Sequence, residues 1–153
     1  MRTVLLAAAA VLVSATPAIA NEYRAEARGG VIWSGGDNEA IAGVAAGYDF
    51  DLAPSTFIGA EVSADKILTS GTKVSFGFNA RGGVSVPTLG KIYAVGGYTT
   101  KPCDFCNGQW TAGAGVQHTF LPMIYGKVEY RHLFERKVMD SANAVVIGVG
   151  VKY

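Results

Sequence analysis

Ala144-Val-Val-Ile-Gly-Val-Gly-Val-Lys-Tyr153 is the stretch that decides the fold of this chain. Counted in steps of two from its end, one row of side chains is apolar and consists of Val145, Ile147, Val149, Val151 and Tyr153. The alternate row is mostly glycine and alanine, with one lysine. Side chains alternate between the two faces of a β-strand, so this stretch is predicted to be a strand with two unlike faces. Small residues suit a crowded interior better than a surface in water, which indicates that the apolar row faces outward.

Residues 1–20 have the composition of a secretory signal peptide. Arg2 is followed by an apolar segment over Val4–Val13, and Ala18-Ile-Ala20 is a small-x-small cleavage site. The apolar segment is shorter than the roughly 20 residues that a membrane-spanning helix needs. The mature chain is therefore predicted to be 21–153, which is long enough for one domain. No later apolar run is long enough for a spanning helix, so a membrane would be crossed by strands.

The charge of the mature chain excludes one class of partner. Without Arg2 the chain has twelve Lys and Arg against twelve Asp and Glu, so it is neutral overall. No basic run and no nucleic-acid-binding motif is present, and we expect no nucleic acid partner.

Period-two alternation recurs along the whole mature chain. The predicted strands are Tyr23–Trp33, Ala40–Phe50, Thr56–Asp65, Lys73–Val86, Lys91–Thr100, Gln109–Phe120, Tyr125–Leu133 and Ala144–Tyr153. Each has about ten residues, which is the length that a tilted strand needs to cross a bilayer. This pattern predicts an all-β fold, an eight-stranded antiparallel up-and-down transmembrane β-barrel.

The connections and the aromatic residues support that prediction. The odd-numbered connections are predicted to be mostly longer and polar, and they are 34–38, 66–72, 101–108 and 134–143. The even-numbered ones are tight and contain Pro54, Pro87 and Pro122. Outward-facing aromatic residues form two groups, which are Tyr23, Tyr48, Phe50, Phe120 and Tyr153 near the rim where the chain begins, and Trp33, Phe76, Tyr98 and Trp110 near the other. Two aromatic girdles with short turns at one rim and loops at the other are typical of outer-membrane barrels.

On these features the chain resembles the small eight-stranded outer-membrane barrels of the OmpA/OmpX-like superfamily, which include porin-family and opacity-like proteins of Gram-negative bacteria. The resemblance spans 21–153 and rests on the segments Arg24-Ala-Glu-Ala-Arg-Gly-Gly30, Ala46-Gly-Tyr-Asp-Phe-Asp-Leu52, Gly126-Lys-Val-Glu-Tyr-Arg131 and Gly148-Val-Gly-Val-Lys-Tyr153. It implies location in the outer membrane. It also implies a C-terminal assembly signal, formed by Val149, Val151 and Tyr153, with the barrel assembly and periplasmic chaperone machinery as partners. A periplasmic peptidoglycan-binding domain is not expected, and the terminal Tyr153 departs from the phenylalanine common in these proteins.

Charged residues are concentrated in the inward-facing rows. The predicted interior charge network consists of Arg28, Glu61, Arg81, Lys127, Glu129 and Arg131. With symmetric hairpins, Glu61 is predicted to lie across from Arg81 and Gln117 across from Lys127, while Gly115 and Gly113 face Glu129 and Arg131. Buried charges must pair or accept hydrogen bonds. The network could be a paired polar core or could line a narrow path, and the small interior of an eight-stranded barrel favours the paired core.

The cysteines and histidines suggest no catalytic chemistry. Cys103 and Cys106 flank a loop tip in an exported chain, where a local disulfide is favoured over a redox pair or a zinc site. His118 and His132 fall on the outward-facing parity, where a residue at the membrane interface is the expected role. We therefore predict no catalytic residues, no metal site and no cofactor.

Three functions remain open from the sequence. The first is an integral outer-membrane barrel with a filled interior and a structural or surface-interaction role, in contact with outer-membrane lipids and an unknown surface ligand. A narrow low-conductance channel is an alternative role for the same barrel. The second is a lipid-modifying outer-membrane enzyme with the same fold, for which the sequence offers no credible catalytic dyad. The third, a soluble ligand-carrying barrel, is disfavoured, because such a barrel is apolar inside and polar outside.

Overall fold

The computed structural model describes residues 21–135 and 140–153. The eight strands are β1 Asn21–Ser34, β2 Asp37–Ala53, β3 Thr56–Ile67, β4 Ser75–Val86, β5 Gly90–Thr99, β6 Gln109–Leu121, β7 Ile124–Leu133 and β8 Ala142–Lys152. The predicted signal peptide over 1–20 lies outside the described residues and stays a prediction. No helix in the described residues has both the length and the apolar character needed to cross a membrane.

The strands form a closed antiparallel barrel in which each strand pairs with the next along the chain. The C-terminal stretch closes it, because β8 pairs with β7 on one side and with β1 on the other. At the end of the chain the Tyr23 amide donates to the Tyr153 carbonyl at 2.9 Å, and the Tyr153 amide donates back at 3.0 Å. Closure leaves no unpaired edge among the eight described strands. The predicted fold class is confirmed.

The wall of the barrel is apolar outside and charged inside. Exposed side chains of the outer face include Val44, Val62, Phe78, Ile147 and Val149, and the last of these is 63% exposed. Between them, charged residues of the alternate rows are buried. The polarity is therefore inverted relative to a soluble protein, and the row that faces outward in the terminal strand is the one that the sequence predicted.

The structure also arranges aromatic residues at both ends of the outer wall. Tyr23 and Tyr48 pack together near the rim where the chain begins, with ring centroids 4.7 Å apart. Tyr98 and Trp110 pack together near the opposite rim at 5.4 Å. Neighbouring strands bring each pair together.

One predicted turn is shorter than its predicted bounds. The sequence predicts a turn over 34–38, whereas β1 ends at Ser34 and β2 begins at Asp37. Only Gly35 and Gly36 form the turn, and their φ angles of 59° and 105° are those that glycine adopts readily. Two-residue hairpins favour such backbone geometry. The longer connections at this rim are 68–74, 100–108 and the segment between β7 and β8.

One predicted pairing is also wrong. Arg81 lies across from Gly59, and Glu61 lies across from Asn79. The physical reason is that β4 begins at Ser75, so the hairpin is centred one residue earlier than a symmetric turn about Gly71 requires. A shift of one residue in the centre displaces each pairing by two, which leaves every side chain on its predicted face.

Candidate functional site

Glu61 is the centre of the charged interior. Its Oε1 accepts hydrogen bonds from Arg28 Nη1 at 3.1 Å and Arg131 Nη2 at 3.0 Å. Its Oε2 accepts from Lys127 Nζ at 3.1 Å and Arg24 Nη1 at 3.4 Å. The Glu61 side chain is about 1% exposed, so one buried carboxylate is shared by four cations from β1 and β7.

Arg81 has a different partner from the one that the sequence predicted. Its Nε donates to Asp49 Oδ1 at 2.8 Å, and its Nη2 donates to Asp49 Oδ2 in a second hydrogen bond. This two-pronged geometry is the strongest form of an arginine–carboxylate pair. Gln117 Oε1 accepts from the same Nη2 at 3.0 Å, and Lys91 Nζ donates to Asp49 at 2.8 Å.

The network extends towards both rims. Towards the loops, Arg28 donates from Nε to Asp65 Oδ1 at 2.8 Å, and Arg131 pairs with Glu129. Towards the rim where the chain begins, Glu22 accepts from Lys91 at 3.0 Å and from Lys152 at 2.9 Å. Neighbouring ion pairs share partners throughout, so these charges form one connected network.

In the described chain this network joins seven cations to six carboxylates. The cations are Arg24, Arg28, Arg81, Lys91, Lys127, Arg131 and Lys152, and the carboxylates are Glu22, Glu26, Asp49, Glu61, Asp65 and Glu129. The charges are nearly balanced. Buried ions are tolerated only when they are paired in this way.

Aromatic side chains fill the space beside the ions. The Arg81 guanidinium lies 4.6 Å from the ring centroid of Tyr93 and 5.3 Å from that of Phe57. The Tyr93 hydroxyl donates to Glu129 Oε2 at 2.8 Å, and the Tyr125 hydroxyl donates to Glu26 at 2.7 Å. Phe57 and Tyr125 are fully buried. The centre of the barrel is thus packed with side chains.

Glycine makes room for these rings. A Cβ at Gly115 would lie 2.7 Å from Tyr93 Cζ, closer than side chains approach each other. Gly115 pairs with Glu129 across β6 and β7, as the sequence predicted, and Gly113 and Gln117 pair with Arg131 and Lys127. The absence of a side chain at this position lets the tyrosine reach its carboxylate partner.

Above the network, towards the loops, the interior is lined by aliphatic as well as polar side chains. A cavity of about 90 Å³ lies there, with Arg28 and Arg131 among its lining residues. Its aliphatic lining includes Ile32, Ile41, Ile67, Leu133 and Val146. We call these five side chains the aliphatic collar, and polar side chains such as Ser75, Gln109 and Thr111 lie among them.

The structure brings the six predicted interior residues into this one network, but their pairing depends on residues that the prediction omitted. Asp49 and Asp65 supply the carboxylates for Arg81 and Arg28. Both fall on the inward parity of their strands, which was the available signal in the sequence. The aromatic residues Phe57, Tyr93 and Tyr125 share that parity, although no charge marked them.

The second notable feature is the β5–β6 loop. Cys103 and Cys106 form a disulfide with a Cα–Cα distance of 5.0 Å. Lys73 of the neighbouring β3–β4 loop donates from Nζ to Asp104 at 2.5 Å. This hydrogen bond is the main reason that the pKa of the Asp104 carboxyl is lowered from its ordinary value. The loop is held by a covalent link and by its neighbour.

The histidines lie apart from both features. His118 is exposed on the outer wall and packs against Phe120, with ring centroids 5.2 Å apart. His132 Nδ1 is 2.8 Å from Asn143 Oδ1 near the other rim. Within the described residues no group of three or more His, Cys, Asp or Glu side chains is placed to hold a metal ion.

Comparison with known proteins identifies the fold. No protein-family model matches the chain, and no curated protein matches its sequence. The N-terminal β-barrel domain of Pseudomonas aeruginosa OprF is similar, with a TM-score of 0.61 and 14% identity over 86% of this chain and 97% of that one. Ail, the attachment invasion locus protein of Yersinia pestis, has a TM-score of 0.57 and 12% identity over 87% and 98%. A de novo designed transmembrane β-barrel has a TM-score of 0.56 and 22% identity over 86% and 95%.

The chain therefore has the fold of the transmembrane β-barrels. More narrowly, it has the fold of the small eight-stranded barrels of bacterial outer membranes, and the resemblance that the sequence indicated is confirmed at the level of fold.

Proposed function

We propose that this chain is an integral outer-membrane protein of a Gram-negative bacterium with a structural or surface-interaction role. The inverted polarity of the wall carries the proposal. Exposed apolar side chains such as Phe78 and Val149 cover the outside, while ions such as Glu61 fill the inside. In water this arrangement would expose a large apolar surface, and in a bilayer it is the stable one.

The position of Lys66 supports a membrane boundary near the loop end of β3. By the alternation of the strands, it is the one charged side chain at an outward-facing position among the described strand residues, and it is exposed near the loop end of β3. A lysine at the edge of an apolar belt can extend its ammonium to the interface.

The filled interior supports a non-conducting, non-enzymatic role. Buried ion pairs and rings occupy the centre, and the aliphatic collar lies above them. Outer-membrane lipids are proposed to cover the outer wall. The periplasmic chaperones and the assembly machinery are proposed to recognise the C-terminal strand through Val149, Val151 and Tyr153. The attachment and invasion named for the Yersinia pestis relative in fold favour a ligand at the surface loops.

The orientation can be tested with epitope tags in a Gram-negative host that expresses the full chain. Gly71 is a suitable site in the β3–β4 loop, because no atom lies near the place of its missing side chain. Leu89 is the matched site in the short turn at the other rim, and it is also exposed. We expect the Gly71 tag to be detected on intact cells and the Leu89 tag only after permeabilisation. Equal detection of both tags, or extraction without detergent, would refute the proposal.

Single-channel recording in a planar bilayer tests the interior. We expect no large, long-lived openings, because side chains fill an eight-stranded barrel. Porin-like openings would overturn the filled interior and favour a channel, and small, brief openings would favour the narrow low-conductance path.

A further inference from the structure

The β5–β6 loop presents one aromatic side chain at the loop end of the barrel. Phe105 is 94% exposed, more than any other exposed large apolar residue of the described chain. It stands between Cys103 and Cys106, which are joined by the disulfide. The Cys106 amide also donates to the Cys103 carbonyl at 3.3 Å. We call residues 101–106 the knob.

The knob is held in place before it meets a partner. The Lys73 side chain binds Asp104, and the Lys73 amide donates to the Pro102 carbonyl at 2.7 Å. Lys73 and the exposed Lys101 outnumber Asp104, so the surroundings of Phe105 carry a net positive charge. A preorganised loop loses little entropy when it binds a partner that fits it.

A pocket of about 710 Å³ opens at the same end of the barrel. We call it the mouth pocket. Ile32 and Ile67 give it an apolar part, while Asp37, Glu39 and Asp140 supply carboxylates. No lysine or arginine lines it within the described chain, and none of the ion pairs between described residues involves one of the three carboxylates. The described lining of the mouth pocket therefore offers an apolar contact for Phe105 and carboxylates for Lys101.

The knob and the mouth pocket lie at different places around the loop end of the barrel. The mouth pocket is lined mainly by the β1–β2 hairpin, with Gln109 of β6 and Ala142 of β8 completing it, while the knob connects β5 to β6. The β1–β2 hairpin and the knob are four strands apart in a closed ring of eight. If a second barrel faces the first mouth to mouth, a twofold axis perpendicular to the barrel axes sets each knob over the other copy's pocket. Such an interface repeats the same contact twice.

We propose that the protein binds a second copy of itself mouth to mouth, with Phe105 of each copy in the mouth pocket of the other and Lys101 beside its carboxylates. This inference rests on the proposed function, because the two copies then belong to opposing membranes. It names the partner of the surface loops and assigns the protein to contact between cells.

Each contact between two copies is small, so the adhesion of two membranes depends on many such contacts forming together. One aromatic residue with a few charges buries far less than the roughly 1,200–2,000 Å² of a stable interface. Many copies on two facing membranes bind together because each contact raises the local concentration for the next. The assay must therefore present the protein on membranes.

The test uses the full chain, reconstituted in vesicles of neutral phosphatidylcholine and checked for outward-facing loops by protease. Two populations with different fluorescent lipids report clustering by energy transfer. We expect the unmodified protein to cluster vesicles, and Phe105→Ser to slow clustering at least about 30-fold, the effect of a hot-spot residue. Leu89→Ser is the matched control, because this leucine is exposed at the other rim, and it should change nothing.

A charge exchange tests the predicted contact itself. Vesicles that carry Lys101→Glu should not cluster with each other, and neither should vesicles that carry Glu39→Lys, because like charges then face each other. Mixed together, the two populations should cluster again, since the exchanged pair attracts and the second, unmodified pair is intact. A purely structural effect of either substitution would give no such rescue.

The outcomes separate this inference from the proposed function. Absence of clustering by unmodified protein whose loops face outward overturns self-association and leaves the outer-membrane role intact. Equal clustering with protein-free vesicles overturns it as well, because the knob would then bind lipid. Failure to enter vesicles at all would count against the proposed function.

Discussion

Replacing Glu61 with glutamine should destabilise the barrel more than any other single loss of a carboxylate. Glu61 is bound by four cations at 3.0–3.4 Å and its side chain is about 1% exposed. Glu61→Gln keeps the size of the side chain but leaves seven cations with five carboxylates in the interior network. Removing one partner of a buried ion pair costs about 3–5 kcal/mol, because the remaining charge stays buried. We expect a loss of this size.

The measurement is urea unfolding in vesicles of neutral lipid, followed through the fluorescence of Trp33 and Trp110. The free energy of unfolding is obtained by linear extrapolation to water. Glu39→Gln is the matched control, since Glu39 lies at the mouth and forms no ion pair with a described residue. It should change the stability by less than about 0.5 kcal/mol.

A double substitution separates charge from packing. Lys127 donates to Glu61 at 3.1 Å and is itself buried. In a Glu61→Gln background, Lys127→Met removes one of the excess charges and should recover at least about 1 kcal/mol, as coupled neighbours do. A cost of Glu61→Gln below about 1 kcal/mol would contradict the central role of Glu61 in the network, and so would a second substitution that adds its full cost to the first.

Three further results are expected. Val149→Arg should lower the free energy of unfolding in bilayers by about 2–4 kcal/mol, because Val149 faces outward near the middle of β8. Leu68→Arg in the exposed β3–β4 loop should cost little, and equal tolerance of the two substitutions would reject the assignment of faces. Glu129→Ala should destabilise the barrel more than Glu135→Ala, since Glu129 binds the buried side chains of Arg131 and Tyr93 while Glu135 is exposed. Urea unfolding that ranks the two variants in the reverse order would contradict the network. Thiol titration of the unreduced, denatured protein should find no free cysteine, because the β5–β6 loop contains a disulfide. Two titratable thiols would show that the knob lacks this covalent link.

The sequence alone determined which face each strand turns inward. Alternation with a period of two is a local property, so Glu61 and Val149 could be assigned to opposite sides without knowledge of any contact. Eight such segments, with two groups of aromatic residues, were enough to predict the barrel. Pairing between β6 and β7 was also predictable, because the tight turn at Pro122 fixes the register of Gln117 against Lys127.

Only the tertiary structure decided which charges meet. Glu61 lies 66 residues from Lys127 and 70 from Arg131 along the chain. Arg81 pairs with Asp49, two strands away, instead of with Glu61, which was predicted to lie opposite it. Closing the sheet turns all inward rows towards one axis, where side chains from strands that never pair come within hydrogen-bonding distance. Closure likewise places the knob across the mouth from the β1–β2 hairpin, which supplies about half of the lining of the mouth pocket. The periodicity of the sequence shows to which face of the sheet a side chain points. The partner of that side chain depends on the curvature of the barrel, on the register between strands and on the space left by glycine.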